Sequence, residues 1–389
     1  MTARATKFLK IASAIAGAIF IGVAIVACWI NYTHPRPIDF LSFWAAGRMA
    51  IEGQGAMAYD MAAHRAVEMT AAPIHGLQPF PYPVPFLLIA APFGLLPFQL
   101  AFPMWLLTTG ILYLLAARRI LPASTAVAHP AVLANGLIGQ NGFLTSAIFL
   151  FGVGELKRRP WLAGAVLGLM VIKPQLALLL PLALVADRAW RALGGAALSS
   201  AALLLAAFLL FGARAYENFF RILPHYSAFM AGNRWPWNEL ASAFALARFF
   251  GVAPGAAWVI QGATAAIAAI VVFRSWRLGF DGKVPILAAA TLLVPPYLFT
   301  YDALLLVVPL GWWMRDRRHP YLVAAIWFLC LLPVAGYFNL YRGPNTIPIA
   351  AMISLWALYS DQESKPGQAA GKDRNPAFKQ DGDIKVSGD

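Results

Sequence analysis

The chain reads as a succession of apolar runs separated by short polar breaks. Residues 8–30 form the first run, with Arg4, Lys7 and Lys10 at its N-terminal end. A helix of that length crosses about 30 Å of hydrocarbon, and the flanking charge keeps the N-terminus cytoplasmic. Further spans are predicted near 98–117, 126–138, 142–156, 161–172, 175–187, 192–212, 256–273, 284–297, 302–314, 321–340 and 345–359. The pattern therefore predicts an all-α, polytopic membrane bundle of about twelve segments, with both termini in the cytoplasm. Several segments are shorter than the roughly 20 residues a full crossing needs, which predicts tilted helices or broken ones lining a polar cavity. The run at 84–97 fits this parity only as a re-entrant or interfacial piece. One membrane domain is expected over 1–360, with long extracytoplasmic loops at 31–82 and 213–255. The polar, nearly charge-balanced stretch 361–389 reads as a disordered cytoplasmic tail.

Composition sharpens this picture. Of the 389 residues, 60% are hydrophobic and 12% charged, with a mean hydropathy of +0.66; a soluble domain carries about 25% charged residues. The net charge of +13 does not point to nucleic acid, because the basic residues sit in clusters between apolar runs. Arg118-Arg119, Lys157-Arg158-Arg159, Arg274 with Arg277, and Arg315-Asp316-Arg317-Arg318 are such clusters, the mark of a positive-inside bias. Cys28 and Cys330 both lie inside apolar runs, so neither a disulfide framework nor a thiolate metal site is expected. His64, His75, His225 and His319 lack the spacing of metal ligands.

A topology drawn from Lys and Arg alone places the least lipid-like motifs on one side. "DFLSFW" at 39–44, "PFPYPVPF" at 79–86, "GQNG" at 139–142, "IKPQ" at 172–175, "PPYLFTYD" at 295–302 and "YRGPN" at 341–345 all interrupt runs near their extracytoplasmic ends. Polar side chains at membrane depth are expensive and usually face a cavity or the bundle interior. One outward-facing site built from several helix ends accounts for all six. Each motif also has a plainer reading. Asp39 and Asp302 are suited to capping the helices that follow them, "GQNG" is good turn chemistry, "PFPYPVPF" makes a rigid loop, and Lys173 can snorkel to the interface.

The ordered set of motifs resembles a known family. "DFLSFWAAGRMAIEGQGAMAYD", "PYPVPFLLIAAPFGLLPF", "GQNGFLTSAIFLFGVGELKRRPWLAGAVLGLMVIKPQLALLLP" and "PPYLFTYDALLL", spread from Asp39 to Pro309, are similar to bacterial glycosyltransferase family 87. That family contains polyprenol-phosphate-mannose-dependent mannosyltransferases. The resemblance implies a GT-C architecture in the bacterial inner membrane, with its active site on the extracytoplasmic face. It implies transfer of a hexosyl group from a polyprenyl-phosphate sugar to a hydroxyl of a glycolipid or glycan acceptor. An Asp in the first outer loop of that fold acts as catalytic base, and Asp39 matches it in position and context. Members often carry a histidine where this chain has "TYD" at 300–302, which sets the chain apart from the mannosyltransferases there.

The chemistry then assigns roles. Asp39 would take the acceptor hydroxyl proton during a single inverting displacement. A phosphate leaving group needs a cation, for which Lys173, then Arg342, then Arg234 are the candidates. Gln140, Asn141 and Gln175 suit sugar hydroxyls; Trp44, Tyr82, Tyr297 and Tyr301 suit stacking on a sugar ring, and Asp302 joins the sugar or acceptor contacts. No DxD motif stands in the first outer loop, and metal- and cofactor-independent chemistry is expected. The competing class is a transporter or flippase, which would show related halves; the loops 31–82 and 213–255 have no evident mirror partner. A membrane acyltransferase would need a histidine paired with an acid at catalytic spacing.

Overall fold

The computed structural model describes residues 3–36, 38–73, 78–231, 236–315 and 319–363. Arg234, His75, Arg317 and positions 364–389 of the expected tail lie outside the described residues. The described chain is helical, with 76% helix and no strand.

The helices follow in order as α1 (Ala3–Thr33), α2 (Phe40–Ile51), α3 (Met61–Glu68), α4 (Phe86–Gly94), α5 (Phe98–Ala117), α6 (Ala123–Val127), α7 (Pro130–Ile138), α8 (Gly142–Glu155) and α9 (Pro160–Gly168). They continue as α10 (Leu179–Ala186), α11 (Trp190–Ala231), α12 (Ala243–Phe249), α13 (Pro254–Arg277), α14 (Lys283–Thr291), α15 (Val307–Arg315), α16 (Pro320–Gly336) and α17 (Ile347–Glu363). Proline opens α7, α9, α13 and α16, where its missing N–H costs nothing and its fixed φ suits the first turn.

Among the described residues, four helices are long and apolar enough to cross a membrane: Ile11–Thr33, Phe98–Ala117, Trp190–Ala228 and Pro254–Arg277. Their outward faces stay apolar; Leu198 and Leu209 of α11 are 69% and 73% exposed and Val259 of α13 is 72% exposed, as lipid contact requires. Other predicted segments are broken. The one at 126–138 is interrupted at His129, whose backbone is extended. The one at 161–172 tightens into a 3-10 turn at Leu169–Ile172 and stops at Lys173. The segment at 302–314 starts as a 3-10 stretch, Thr300–Leu306, before α15. Non-helical backbone is tolerated at such depth only where protein surrounds it, and Lys173, Thr300 and Asp302 are all buried.

Two further elements differ from the pattern reading. α11 continues past the expected end of its span, with a kink at Gly212 (φ 74°), so much of the expected outer loop 213–255 is helical. Its second half lies over the 3-10 turn Gly55–Tyr59, through an Asn218 amide bond to the Ala56 carbonyl (3.0 Å) and an edge contact of Phe219 with Tyr59. α17 extends to Glu363, into the start of the expected tail.

Close helix packing depends on small residues. Gly164 and Gly168 of α9 face Ala192, Ala196 and Ser199 of α11 so closely that a Cβ at either glycine would overlap the opposing helix. This is the small-xxx-small contact by which membrane helices approach at backbone distance. Gly164→Ala is expected to destabilise the protein by about 1–3 kcal/mol, the usual cost of overpacking, read as a lower Tm in detergent. Gly262→Ala is the control, because nothing lies within 4 Å of its added methyl, and its Tm should not fall.

Candidate functional site

Asp39 stands at the start of α2, whose first turns are held in an aromatic block. Phe40 packs on Phe98 (6.1 Å) and Trp105 (5.8 Å), and Phe43 on Tyr82 (5.0 Å) and Phe86 (4.9 Å). Although α2 begins where a capping Asp39 would place it, the Asp39 side chain makes no cap hydrogen bond. The carboxylate instead accepts the Gln140 amide at 2.8 Å. The capping reading of Asp39 therefore gives way to a contact with Gln140, 101 positions along the chain.

Gln140 is presented by the turn between α7 and α8. Gly139 ends α7 with φ 71°, a left-handed conformation that glycine adopts without penalty. The Gln140 carbonyl oxygen accepts from the Tyr82 hydroxyl (2.9 Å) and the Asn141 N–H (3.3 Å), which leaves the side-chain NH2 directed at Asp39. Tyr82 is itself stacked on Phe86 at 4.6 Å.

Beneath this layer lies a buried ion pair. The Lys173 ammonium donates to Asp302 Oδ1 (2.5 Å) and Asn141 Oδ1 (2.9 Å) and sits 4.6 Å from the Tyr301 ring centroid. Both side chains are at most 2% exposed. The other Asp302 oxygen accepts the Phe299 N–H at 3.3 Å; Asp302 thus lies inside the 3-10 stretch and bonds back to its start, and it does not cap a helix that follows it. Asn135 donates to the Tyr301 carbonyl (3.1 Å), fixing the same segment from α7.

Above the pair opens a cavity of about 490 Å³, within the usual range of ligand pockets. Asp39, Tyr82, Gln140 and Tyr301 line it; Trp44, Asn141, Lys173, Gln175, Tyr297, Asp302 and Arg342 do not. Trp44 donates its indole N–H to the Leu96 carbonyl and packs on Phe98. Tyr297 packs among Phe244 and Trp258, and Gln175 lies on the 3-10 turn Pro174–Leu176. Arg342 is exposed, on a loop whose two ends touch the cavity wall: Tyr337 lines it, and Asn345 bonds Thr300, which lines it.

Glu239 is the lining residue that the sequence reading missed, with Ser42, Gln78, Asn238 and Tyr337 beside it. Its loop is pinned to the Phe299 segment by the Leu240–Phe299 bridge, the Ala241 N–H on the Leu298 carbonyl (2.6 Å) and the Asn345 amide on the Glu239 carbonyl (3.3 Å). A lone acid directly before the apolar stretch Leu240–Ala247 was the available signal. Burial raises the Asp39 carboxyl above its ordinary pKa, and the Gln140 hydrogen bond pulls it partly back. Glu239 is raised as well, by burial and then by the negative charge of Asp39. The cavity thus holds two mutually repelling carboxylates among amides and phenols, a lining suited to a polyhydroxyl ligand and to proton abstraction.

These features define a helical membrane protein with a carboxylate-walled polar cavity at one end of its bundle. The model of glycosyltransferase family 87 matches residues 80–298, and the chain belongs to that family; it is a glycosyltransferase. The matched region contains Tyr82, Gln140, Lys173 and Glu239, and stops short of Asp39 and Tyr301. No curated protein and no solved structure matches the chain.

The ion pair yields a direct test. Asp302→Asn leaves the buried ammonium without its counter-charge, and breaking such a pair costs about 3–5 kcal/mol. The expected result is a large fall in Tm, largely restored in the double variant Lys173→Met/Asp302→Leu. A Tm that stays at the wild-type value in Asp302→Asn would remove the pair from the account of stability.

Proposed function

We propose that the protein is an inverting hexosyltransferase of GT-C type that moves a sugar from a polyprenyl-phosphate donor to a hydroxyl of a glycolipid or glycan. It acts at the extracytoplasmic face of the bacterial inner membrane, with both termini in the cytoplasm. The observation that carries this reading is the Asp39 carboxylate, held by Gln140 at the wall of a cavity large enough for a sugar.

Asp39 accepts the acceptor hydroxyl proton as the hydroxyl oxygen attacks the anomeric carbon, and the bond from that carbon to the donor phosphate oxygen breaks. The prenyl phosphate departs as an anion and needs charge, not a proton. The Lys173 charge is already balanced by Asp302, which makes Lys173 the better candidate for holding the cavity floor. Arg342 on the exposed loop and Arg234 then become the leading partners for the phosphate. Gln140, Tyr82, Tyr301 and Glu239 receive the sugar. The mannosyl group is one candidate, and the absence of histidine at 300–302 argues for testing other hexoses alongside it.

The test is transfer by purified protein from a panel of radiolabelled polyprenyl-phosphate hexoses. Asp39→Asn preserves shape and should bind donor, yet lose transfer by about 10²-fold or more. Near-wild-type transfer by a folded Asp39→Asn protein would rule out this base. The pH profile carries a second expectation. A base works as its anion, so kcat/KM should fall as pH drops through the Asp39 pKa, and burial places that limb above the ordinary carboxylate range.

A further inference from the structure

A second hollow opens at the end of the bundle remote from Asp39 and runs back along α8 as far as Leu144 and Ile172, next to the layer of Asn141 and Lys173. α5 starts at Phe98, in the aromatic block beside Asp39, and a helix of its length ends about 30 Å away. α8 likewise starts beside the Tyr301 segment and ends at Glu155, which accepts from Arg119 just past α5 at 2.7 Å. The two helix ends therefore meet far from the cavity.

Leu144, Ala147, Ile148 and Phe151 of α8 recur at helical spacing along one stripe. They form the floor of a hollow of about 440 Å³, walled by Leu112 and Leu115 of α5 on one side and by the Val166–Ile172 stretch on the other. α5 and α9 both pack on α8, and Ala147 puts only a methyl on the floor between them. Leu112 and Leu115 are 43% and 44% exposed, so the hollow opens sideways, toward lipid.

Only its mouth is charged, and the charge is basic. Arg118 and Arg119 line it. Arg119 is committed to Glu155 and to the Phe151 ring, 4.7 Å from its guanidinium carbon. Arg118 is exposed, and so are Lys157, Arg158 and Arg159 on the turn that the Arg158 and Arg159 N–H groups tie to the Glu155 carbonyl. With Glu155 balancing Arg119, the other basic residues leave net positive charge at one end of an apolar slot. A peptide would bring backbone polar groups that this slot cannot satisfy. An amphiphile with one anionic head meets both demands.

We propose that this hollow binds one anionic phospholipid, its acyl chain lying on α8 between α5 and α9 and its headgroup phosphate against Arg118 and the Lys157–Arg159 turn. The site is distinct from the Asp39 cavity and does not depend on the reading of the reaction. Native mass spectrometry of the delipidated protein, titrated with phosphatidylglycerol or phosphatidylcholine, tests it. The wild type should retain one phosphatidylglycerol in preference to phosphatidylcholine. Arg118→Gln/Arg158→Gln, two surface changes, should weaken that retention by about tenfold. Ala147→Phe, which fills the floor, should abolish it while leaving the charges in place. Equal retention of the two lipids by the wild type, or phosphatidylglycerol retention unchanged in both variants, would overturn the proposal. So would displacement of the bound lipid by equimolar polyprenyl phosphate, which would give the hollow to a donor-type lipid.

Discussion

The Lys173–Asp302 pair is the constraint around which the polar half of this protein is organised. Two opposite charges buried at 2.5 Å hold together only if their remaining hydrogen-bonding capacity is met. Asn141, the Phe299 N–H and the Tyr301 ring meet much of it. Each of these groups sits where a helix is broken. Lys173 separates two 3-10 turns, Asp302 lies in a third such stretch, and Asn141 joins α7 to α8. Continuous helices would point these side chains apart or into lipid. The breaks that shorten the apolar segments and the pair that fills the space between them are thus one feature.

From that floor the arrangement passes upward by adjacency. Asn141 is fixed by Lys173, and Gln140 is its neighbour in the chain. Gln140 uses its carbonyl oxygen on Tyr82 and Asn141 and its NH2 on Asp39. The Gln140 donor offsets part of the burial that raises the Asp39 pKa. Both ends of the bundle bind anions in this account, by different means. On the proposed reading the cavity end takes a phosphate that leaves during reaction, and the proposed lipid site takes one that stays.

Much of this was legible in the sequence, and the boundary has physical causes. A polar residue in an apolar run is conspicuous, so Asp39, Gln140, Lys173 and Asp302 could be singled out without coordinates. α2 does start at Phe40, where a capping Asp39 would place it, but Asp39 makes no cap bond, so the acid was a misleading guide to that start. Partnership was not readable. Lys173 lies 129 positions from Asp302, and no spacing rule joins them, so a lysine with a settled counter-ion looked like one awaiting a phosphate. Glu239 escaped for the same reason, because its loop reaches the cavity only through contacts with the Phe299 segment and Asn345. Trp44 misled in the opposite direction; one helical turn past Phe40, its indole is spent on the Leu96 carbonyl. The helical continuation of α11 beyond Gly212 was hidden because it is too polar to read as a span.

In the proposed reaction Gln140 holds Asp39 as the base facing the cavity. The most direct measurement is the pH dependence of kcat/KM for Gln140→Leu beside the wild type. A donor to a carboxylate favours its charged form, so losing the Gln140 amide should raise the Asp39 pKa. The acid limb of the profile should move to higher pH in Gln140→Leu while the protein remains folded. An acid limb at the same pH in both proteins would contradict it.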